Sequence, residues 1–504
     1  MAKTLLPDDD ETYLCWSCVG ETFLRGEIRK QGQVATCSFC SEKHKALPLE
    51  QVADFFELAF NSHYRRTRTG PTDLEEAMYR HGISTDFWYR DGEPVVDAFV
   101  SAADISSEIA AAIQVVLEGR HGSREDYEMQ NETEFDSESH YEESTTGTGE
   151  WHELWSAFET ELKENSRYFS NKAQETLNAV FDGIDVYRTQ NDEPVIVEAG
   201  PEKPINALFR ARVFHDRDQV DKALEQPDAQ IGPPPARLAT AGRMNPTGIA
   251  VFYGALDKHT ALSEVRPVVG STVVVGQFRL LRSLRLLDLA LLSEVRVQGS
   301  IFDPEYLRQL QRAKFLGVLG SKMVAPVMPS DEAFDYLPTQ VVCDYLAGQK
   351  KLSLEGIIYK SVQADYSAKN IVLFHHASRV QEIVVPDGAK VSASLSQLSD
   401  DEDDVEYQVT VELPAEGDVP RTTAHNHLDF KQQYANYMHD LRKAAEKRDL
   451  TLGLDLDSLE VHEVTAVSFK TTDFTVTRHT LSGRALQAMT PSLPEQDIDY
   501  SNLL

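Results

Sequence analysis

The stretch Gly242-Arg243-Met244-Asn245-Pro246-Thr247-Gly248-Ile249-Ala250-Val251-Phe252-Tyr253, closed by Ala261-Leu262-Ser263-Glu264-Val265-Arg266-Pro267, decides how the chain is read. A turn rich in Gly and Pro leads into a short apolar run, and a short helix with one carboxylate follows. The spacing is neither that of a P-loop, G-x-x-x-x-G-K-[ST], nor that of the dinucleotide fingerprint G-x-G-x-x-G. Two other stretches belong with it. Residues 208–214 alternate Phe209, Ala211 and Val213 against Arg210 and Arg212, and Gly356-Ile357-Ile358-Tyr359-Lys360-Ser361 reads as a buried strand. Further strands are expected at 249–253, 271–278 and 371–374. Helices are expected at 259–265, where Asp257 caps, and at 304–315 and 338–346. The segment 206–380 is therefore one α+β domain.

Upstream the pattern is helical. Apolar residues recur at helical spacing over 52–60, 97–118, 151–162 and 173–181, and a short helix is expected at 74–81. Residues 46–205 read as one helical domain, interrupted at 122–150 by an acidic linker poor in aliphatics. The aromatic stripe Trp151, Trp155 and Phe158 reads as core packing. Downstream, 381–504 is an extension with a strand at 407–413, a helix at 430–447 and a hairpin over 461–478.

The first 45 residues carry Cys15-Trp16-Ser17-Cys18 and, 19 positions beyond Cys18, Cys37-Ser38-Phe39-Cys40. Two C-x2-C knuckles supply four thiolates, the closed tetrahedral shell of structural Zn2+. Four sulfur ligands leave no open position, so the metal is structural. The fifth cysteine, Cys343, reads as a core residue. Five cysteines, four of them so paired, suit a reducing cytoplasm better than a disulfide framework.

A net charge of −32 argues against broad binding to nucleic acid or anionic membrane, which needs a basic footprint. No apolar run approaches the roughly 18–20 residues of a membrane span. The acidic start has no signal-peptide core.

The strand-and-turn region resembles the RES domain, named for an Arg, a Glu and a Ser. The resemblance lies in the Phe209-Arg210-Ala211-Arg212 strand, the Gly242-Arg243-x-Asn245-Pro246-x-Gly248 turn, Tyr253 and Glu264. It continues through Leu337-Pro338-Thr339-Gln340, Gly356 to Ser361, and Asn370-Ile371-Val372-Leu373-Phe374, in the family's order. Met244 stands where many small members carry an aromatic residue. The cysteine pairs and following helices resemble a HEPN-like helical module with a leading zinc knuckle. The RES resemblance implies an ADP-ribosyltransferase-like split β-sheet. It also implies an NAD+-degrading enzyme, a glycohydrolase or phosphorylase using water or phosphate. Such an enzyme is expected to act as a toxin of a bacterial toxin–antitoxin or phage-defence system. The expected partners are NAD+ as substrate and an antitoxin or regulatory protein, with homo-oligomerisation left open.

Breaking the nicotinamide–ribose bond passes through an oxocarbenium-like state. A carboxylate at the ribose stabilises it, and Glu264 is the candidate. Arg210 and Ser361 complete the catalytic set, with Ser361 positioning substrate rather than attacking it, since no base is linked to it. Arg243, Arg212 and Asn245 are assigned to substrate binding, with guanidinium groups gripping the pyrophosphate and Tyr253 facing the nicotinamide ring. On the residues alone, Glu264 beside Arg266 is an exposed ion pair. Likewise Arg210 and Arg212 are the wet face of an edge strand, Tyr253 is a core tyrosine and Ser361 is a strand end.

Three alternatives stand beside this reading: ADP-ribosyl transfer to a macromolecule, a HEPN-type ribonuclease, and a non-enzymatic partner-binding scaffold. The ribonuclease needs Arg-x(4–6)-His on a helix. Arg210 to His215 fits the spacing on an expected strand, Arg421 to His427 lies far from the helices, and Arg167 has no His at that spacing.

Overall fold

At the N-terminus three short strands, β1 (Tyr13–Cys15), β2 (Gln33–Thr36) and β3 (Lys43–Pro48), pair antiparallel in the order β1-β3-β2. They come from a computed structural model describing residues 11–72, 75–76, 80, 88–123, 129, 131–144, 149–166, 169–328, 330–364, 368–397, 405–414, 446–468, 471–476 and 478. The helices expected at 74–81 and 430–447 fall wholly or mostly outside these residues. Helix Thr22–Gln31 covers the three strands, with the Glu21 carboxylate accepting from the amides of Phe23 and Leu24.

Behind them the helices Leu49–His63, Val95–Ala103 and Ser107–His121 enclose an aromatic core of Phe56, Phe60 and Phe99. The single helix expected over 97–118 is broken. Asp104, at φ +49°, ends one helix, and Ser106 caps the next. The acidic stretch 122–150 is not simply a linker. Phe135 within it is fully buried in this core, and β6 (His140–Glu143) pairs with β4 (Tyr64–Arg66) and β5 (Glu93–Pro94).

The helical segment 46–205 divides between two cores. Helices Gly149–Thr160 and Asn171–Phe181 bury Trp155, Phe158 and Leu177 with Phe315 and Val342, away from the N-terminal helices. Trp155 lies 5.9 Å from Phe315, and the Tyr345 hydroxyl donates to Asn178 at 2.8 Å. The amphipathic stripe shows which face is buried. It does not show what covers that face.

The large sheet holds eight strands in the order β16-β10-β8-β9-β13-β12-β11-β7. They are β7 (Ile196–Ala199), β8 (Ala207–Phe214), β9 (Phe252–Ala255), β10 (Thr272–Leu280), β11 (Leu284–Asp288), β12 (Gly356–Lys360), β13 (Lys369–Leu373) and β16 (Leu452–Glu463). One face packs on the long helices Pro304–Val324 and Leu337–Gly348, and the other buries Leu208, Phe278, Ile358 and Ile371. The C-terminal extension is not wholly separate. Its residues 452–463 form a long edge strand on β10, which shares only 461–463 with the hairpin expected over 461–478; the described residues beyond 463 carry no strand. β14 (Lys390–Gln397) and β15 (Val405–Glu412) form their own ladder. Between β8 and β9 the pairing shrinks to one position, Phe209 opposite Ala255, so the sheet opens there.

The two units interlock. Phe302, just before helix Pro304–Val324, is 2% exposed and its ring sits 5.0 Å from Phe56 in the N-terminal core. Tyr306 stacks on His63 at 5.9 Å. Phe302→Ala is expected to destabilise the N-terminal unit by about 3–5 kcal/mol. Denaturant unfolding should show its transition moving to lower denaturant. No single helix among the described residues is long and apolar enough to cross a membrane.

Candidate active site

The Gly/Pro turn is built around Asn245, which is 4% exposed. Its amide donates to the carbonyls of Thr240, Pro246 and Ile249, and its Oδ1 accepts from the Tyr253 hydroxyl at 2.8 Å. The Met244 amide donates to the same hydroxyl at 3.0 Å. Burial pushes the Tyr253 phenol well above its usual range, so it stays protonated. Asn245 therefore holds the turn and orients Tyr253. It does not line the cleft. Two residues of the 337–340 landmark anchor this turn: Thr339 Oγ1 donates to the Arg243 carbonyl at 2.6 Å, and Gln340 Nε2 to the Gly242 carbonyl at 2.8 Å.

Gly242 is required by close approach. A Cβ there would lie 2.7 Å from Asn245 Oδ1 and 2.8 Å from the Tyr253 hydroxyl oxygen. Gly242→Ala is expected to cost about 1–3 kcal/mol by parting these two groups. The loss is read by denaturant unfolding, together with increased quenching of tyrosine fluorescence.

Helix Lys258–Glu264 starts at Asp257, whose carboxylate accepts from the Thr260 amide at 2.8 Å. Its last residue, Glu264, is half-buried. Oε1 accepts two hydrogen bonds, from Ser361 Oγ at 2.5 Å and from Asn370 Nδ2 at 2.7 Å. The Ser361 hydroxyl in turn accepts from the amides of Gln363 and Ala364, at 3.1 and 3.2 Å. Its one hydrogen is committed to Glu264, so it is not poised as a nucleophile. Oε2 of Glu264 has no hydrogen-bond partner among the described residues. The exposed ion pair with Arg266 does not form there either. Arg266, at φ +45°, turns the chain away after the helix.

Arg210 occupies the opening between β8 and β9. Its Nη1 donates to the Tyr253 carbonyl at 2.9 Å, and its guanidinium lies 5.1 Å from the Phe252 ring. Burial, with Arg212 nearby, pulls its pKa down to about 10. A guanidinium stays charged in a protein, and this one makes no ion pair among the described residues. Arg243 donates to the carbonyls of Met323 and Ala325, at 3.2 and 2.5 Å, and stacks on Tyr336 at 5.1 Å. Arg212 is exposed, donates to the Gln230 carbonyl and does not line the cleft.

Arg210, Arg243, Tyr253 and Glu264 thus converge on one cleft of about 290 Å³, with Ser361 behind Glu264. Tyr336, Tyr359, Lys360, Asn370 and Arg266 also line it and were not assigned from the sequence. Tyr359 stands two residues before Ser361 on the same strand face, a signal present in the pattern. Burial, then the neighbouring Tyr253 and Glu264, raise its phenol well above the usual range. Among the described residues Glu264 is the only carboxylate in the lining, against four cations. None of the four pairs with a carboxylate among the described residues.

The four knuckle thiols cluster as well, with their sulfur atoms all within 4.8 Å of one another. Cys15–Cys18, Cys15–Cys40 and Cys18–Cys37 sulfurs are 3.6, 3.7 and 3.9 Å apart. Tetrahedral Zn–S bonds of about 2.3 Å require about 3.8 Å between sulfurs, so the group can hold that ion. Burial raises the Cys15 and Cys18 thiols. At Cys37 burial is outweighed by backbone hydrogen bonds, which bring it down to about 7.

Residues 208–396 match the family model of the RES domain. Every residue lining the cleft falls inside the matched span. Helices Gly149–Thr160 and Asn171–Phe181, which share the core of the matched segment, and strand β16, which extends its sheet, lie outside it. No curated protein matches the chain.

Proposed function

We propose that the RES domain breaks the nicotinamide–ribose bond of NAD+. The observation that carries this is Glu264: one carboxylate oxygen is fixed by Ser361 and Asn370 and the other has no protein partner among the described residues, in a cleft whose other charged lining residues are cations and which three tyrosines also line. A carboxylate held that way needs no reorganisation when positive charge develops on the ribose. The electron pair of the broken C–N bond leaves with nicotinamide, which departs neutral. With water as acceptor, the products are ADP-ribose, nicotinamide and one proton. Arg210 and Arg243 supply charge for the pyrophosphate, and the tyrosine faces accept the cationic ring. Reading the sheet as ADP-ribosyltransferase-like draws support from its opening between β8 and β9, where Arg210 sits.

The test is direct. Purified protein is incubated with NAD+, with and without inorganic phosphate, and the products are identified by mass. Nicotinamide with ADP-ribose indicates hydrolysis, and a phosphorylated ADP-ribose indicates phosphorolysis. A mass added to a protein or nucleic acid indicates transfer to a macromolecule. NAD+ left intact in every arm sinks the proposal. A ribonuclease draws no support from the spacing of Arg210 and His215, because Arg210 lies on β8 and faces the cleft. The matching spacing at 421–427 lies outside the described residues, as does Arg167. We further propose that the four-cysteine group holds a structural Zn2+. The protein then acts as a toxin by depleting NAD+, restrained by a partner protein that pull-down would identify.

A further inference from the structure

We propose that Asn370 reads one hydroxyl of the nicotinamide ribose while it holds Glu264, which makes it a specificity-determining residue of the cleft. This rests on the NAD+ reading above. Asn370 lies on β13, opposite Tyr359 of β12 and Ala255 of β9, and is 2% exposed in the cleft wall. Its Nδ2 donates to Glu264 Oε1 at 2.7 Å. A carboxylate only accepts, so this bond dictates which way round the amide stands. The NH2 group faces Glu264, and Oδ1 is left buried with no hydrogen-bond partner among the described residues.

A buried acceptor without a donor is unfavourable and uncommon in native proteins. The neighbouring side chains do not provide that donor. The Ser361 hydroxyl hydrogen goes to Glu264, and that of Tyr253 goes to Asn245. The ligand chemistry that fits is a neutral donor. Phosphate oxygens only accept, and the pyridinium ring carries no N–H. The ribose has two adjacent hydroxyls, and Glu264 already offers the open acceptor Oε2. A diol beside the scissile bond is then held by two acceptors of different kind, one charged and one neutral. On the nicotinamide riboside half, which must lie beside Glu264, the carboxamide is the other donor, and the experiment separates it.

Competitive inhibition constants are measured for NAD+ analogues lacking the 2′- or the 3′-hydroxyl of the nicotinamide ribose, on wild type and on Asn370→Leu. Leucine keeps nearly the same shape and removes both polar atoms. In wild type, the analogue lacking the hydroxyl read by Asn370 binds roughly 10- to 100-fold more weakly than NAD+. In Asn370→Leu that ratio falls to within about threefold of unity, while discrimination at the other hydroxyl persists through Glu264. Asn370→Asp keeps an acceptor at the Oδ1 position, so discrimination survives while turnover falls, because a second carboxylate now stands beside Glu264. Unchanged discrimination in Asn370→Leu overturns the assignment, as does a wild type indifferent to both deletions. The wild-type arm decides the matter even if the leucine variant does not fold. Lost discrimination against nicotinic acid adenine dinucleotide, which lacks the carboxamide N–H, with ribose discrimination intact, moves the contact to the carboxamide and also overturns it. A wild type that leaves NAD+ intact fails the parent reading, and this inference with it.

Discussion

Glu264→Gln is expected to slow NAD+ loss about a thousandfold, with little change in the amount of folded protein. Glutamine has the same shape and still presents an oxygen to Ser361 Oγ and Asn370 Nδ2, which now meet at Oε1. What disappears is the negative charge. Arg210 and Arg243 stand elsewhere around the cleft, so their grip on a pyrophosphate is retained. The loss should therefore fall on kcat, with KM changing within a few-fold, the pattern of an interaction made chiefly in the transition state. Steady-state kinetics with nicotinamide release as the signal would show it. A variant turning over at the wild-type rate would exclude Glu264 from the chemistry.

The second large effect is expected at the other end of the chain. Cys37→Ser removes one of four thiolates whose sulfur atoms gather within 4.8 Å. The β1–β3 sheet is small, and the sulfur cluster adds only Cys15, Cys37 and Ala46 as buried core. Metal binding in such units contributes on the order of 10 kcal/mol or more to folding. The variant should fail to retain zinc, measured as metal per chain beside the wild type, and the segment up to Pro48 should become protease-sensitive. The cleft-lining residues pack in other cores than the sulfur cluster, so NAD+ turnover by the same sample should persist. A protease-resistant N-terminus in a metal-free variant would show that the fold there does not depend on the ion.

The knuckle pairs were legible because four ligands at fixed spacing form a local pattern. Glu264, Arg210 and Ser361 were legible only as an ordered set of landmarks. Arg212 shows the limit of strand alternation. It shares a face with Arg210, but only Arg210 sits where the sheet opens, and that opening is set by strands distant in sequence. Asn245 shows a different limit: a polar residue can mark a turn because it builds the turn. Tyr336 carries no local signal, and Asn370 stands in a landmark that says nothing of a contact with Glu264. They reach the cleft through the docking of helix Leu337–Gly348 and the pairing of β13 with β9 and β12. The helices at 149–181 are amphipathic as their periodicity predicts, but they pack on Phe315 and Val342 and not on the N-terminal helices, because periodicity does not name the partner.

The four cleft cations, which pair with no carboxylate among the described residues, have a consequence for encounter. They sit on a chain whose net charge is −32. At physiological ionic strength a field decays over roughly 8–10 Å, so an approaching anion first meets a repelling exterior and feels the cleft only near contact. The surface is a fence with one narrow gate. Raising salt lowers the fence before it weakens contacts inside the gate, so the capture rate of an anionic ligand should first rise with ionic strength. Proteins that steer their ligands from a distance show the reverse.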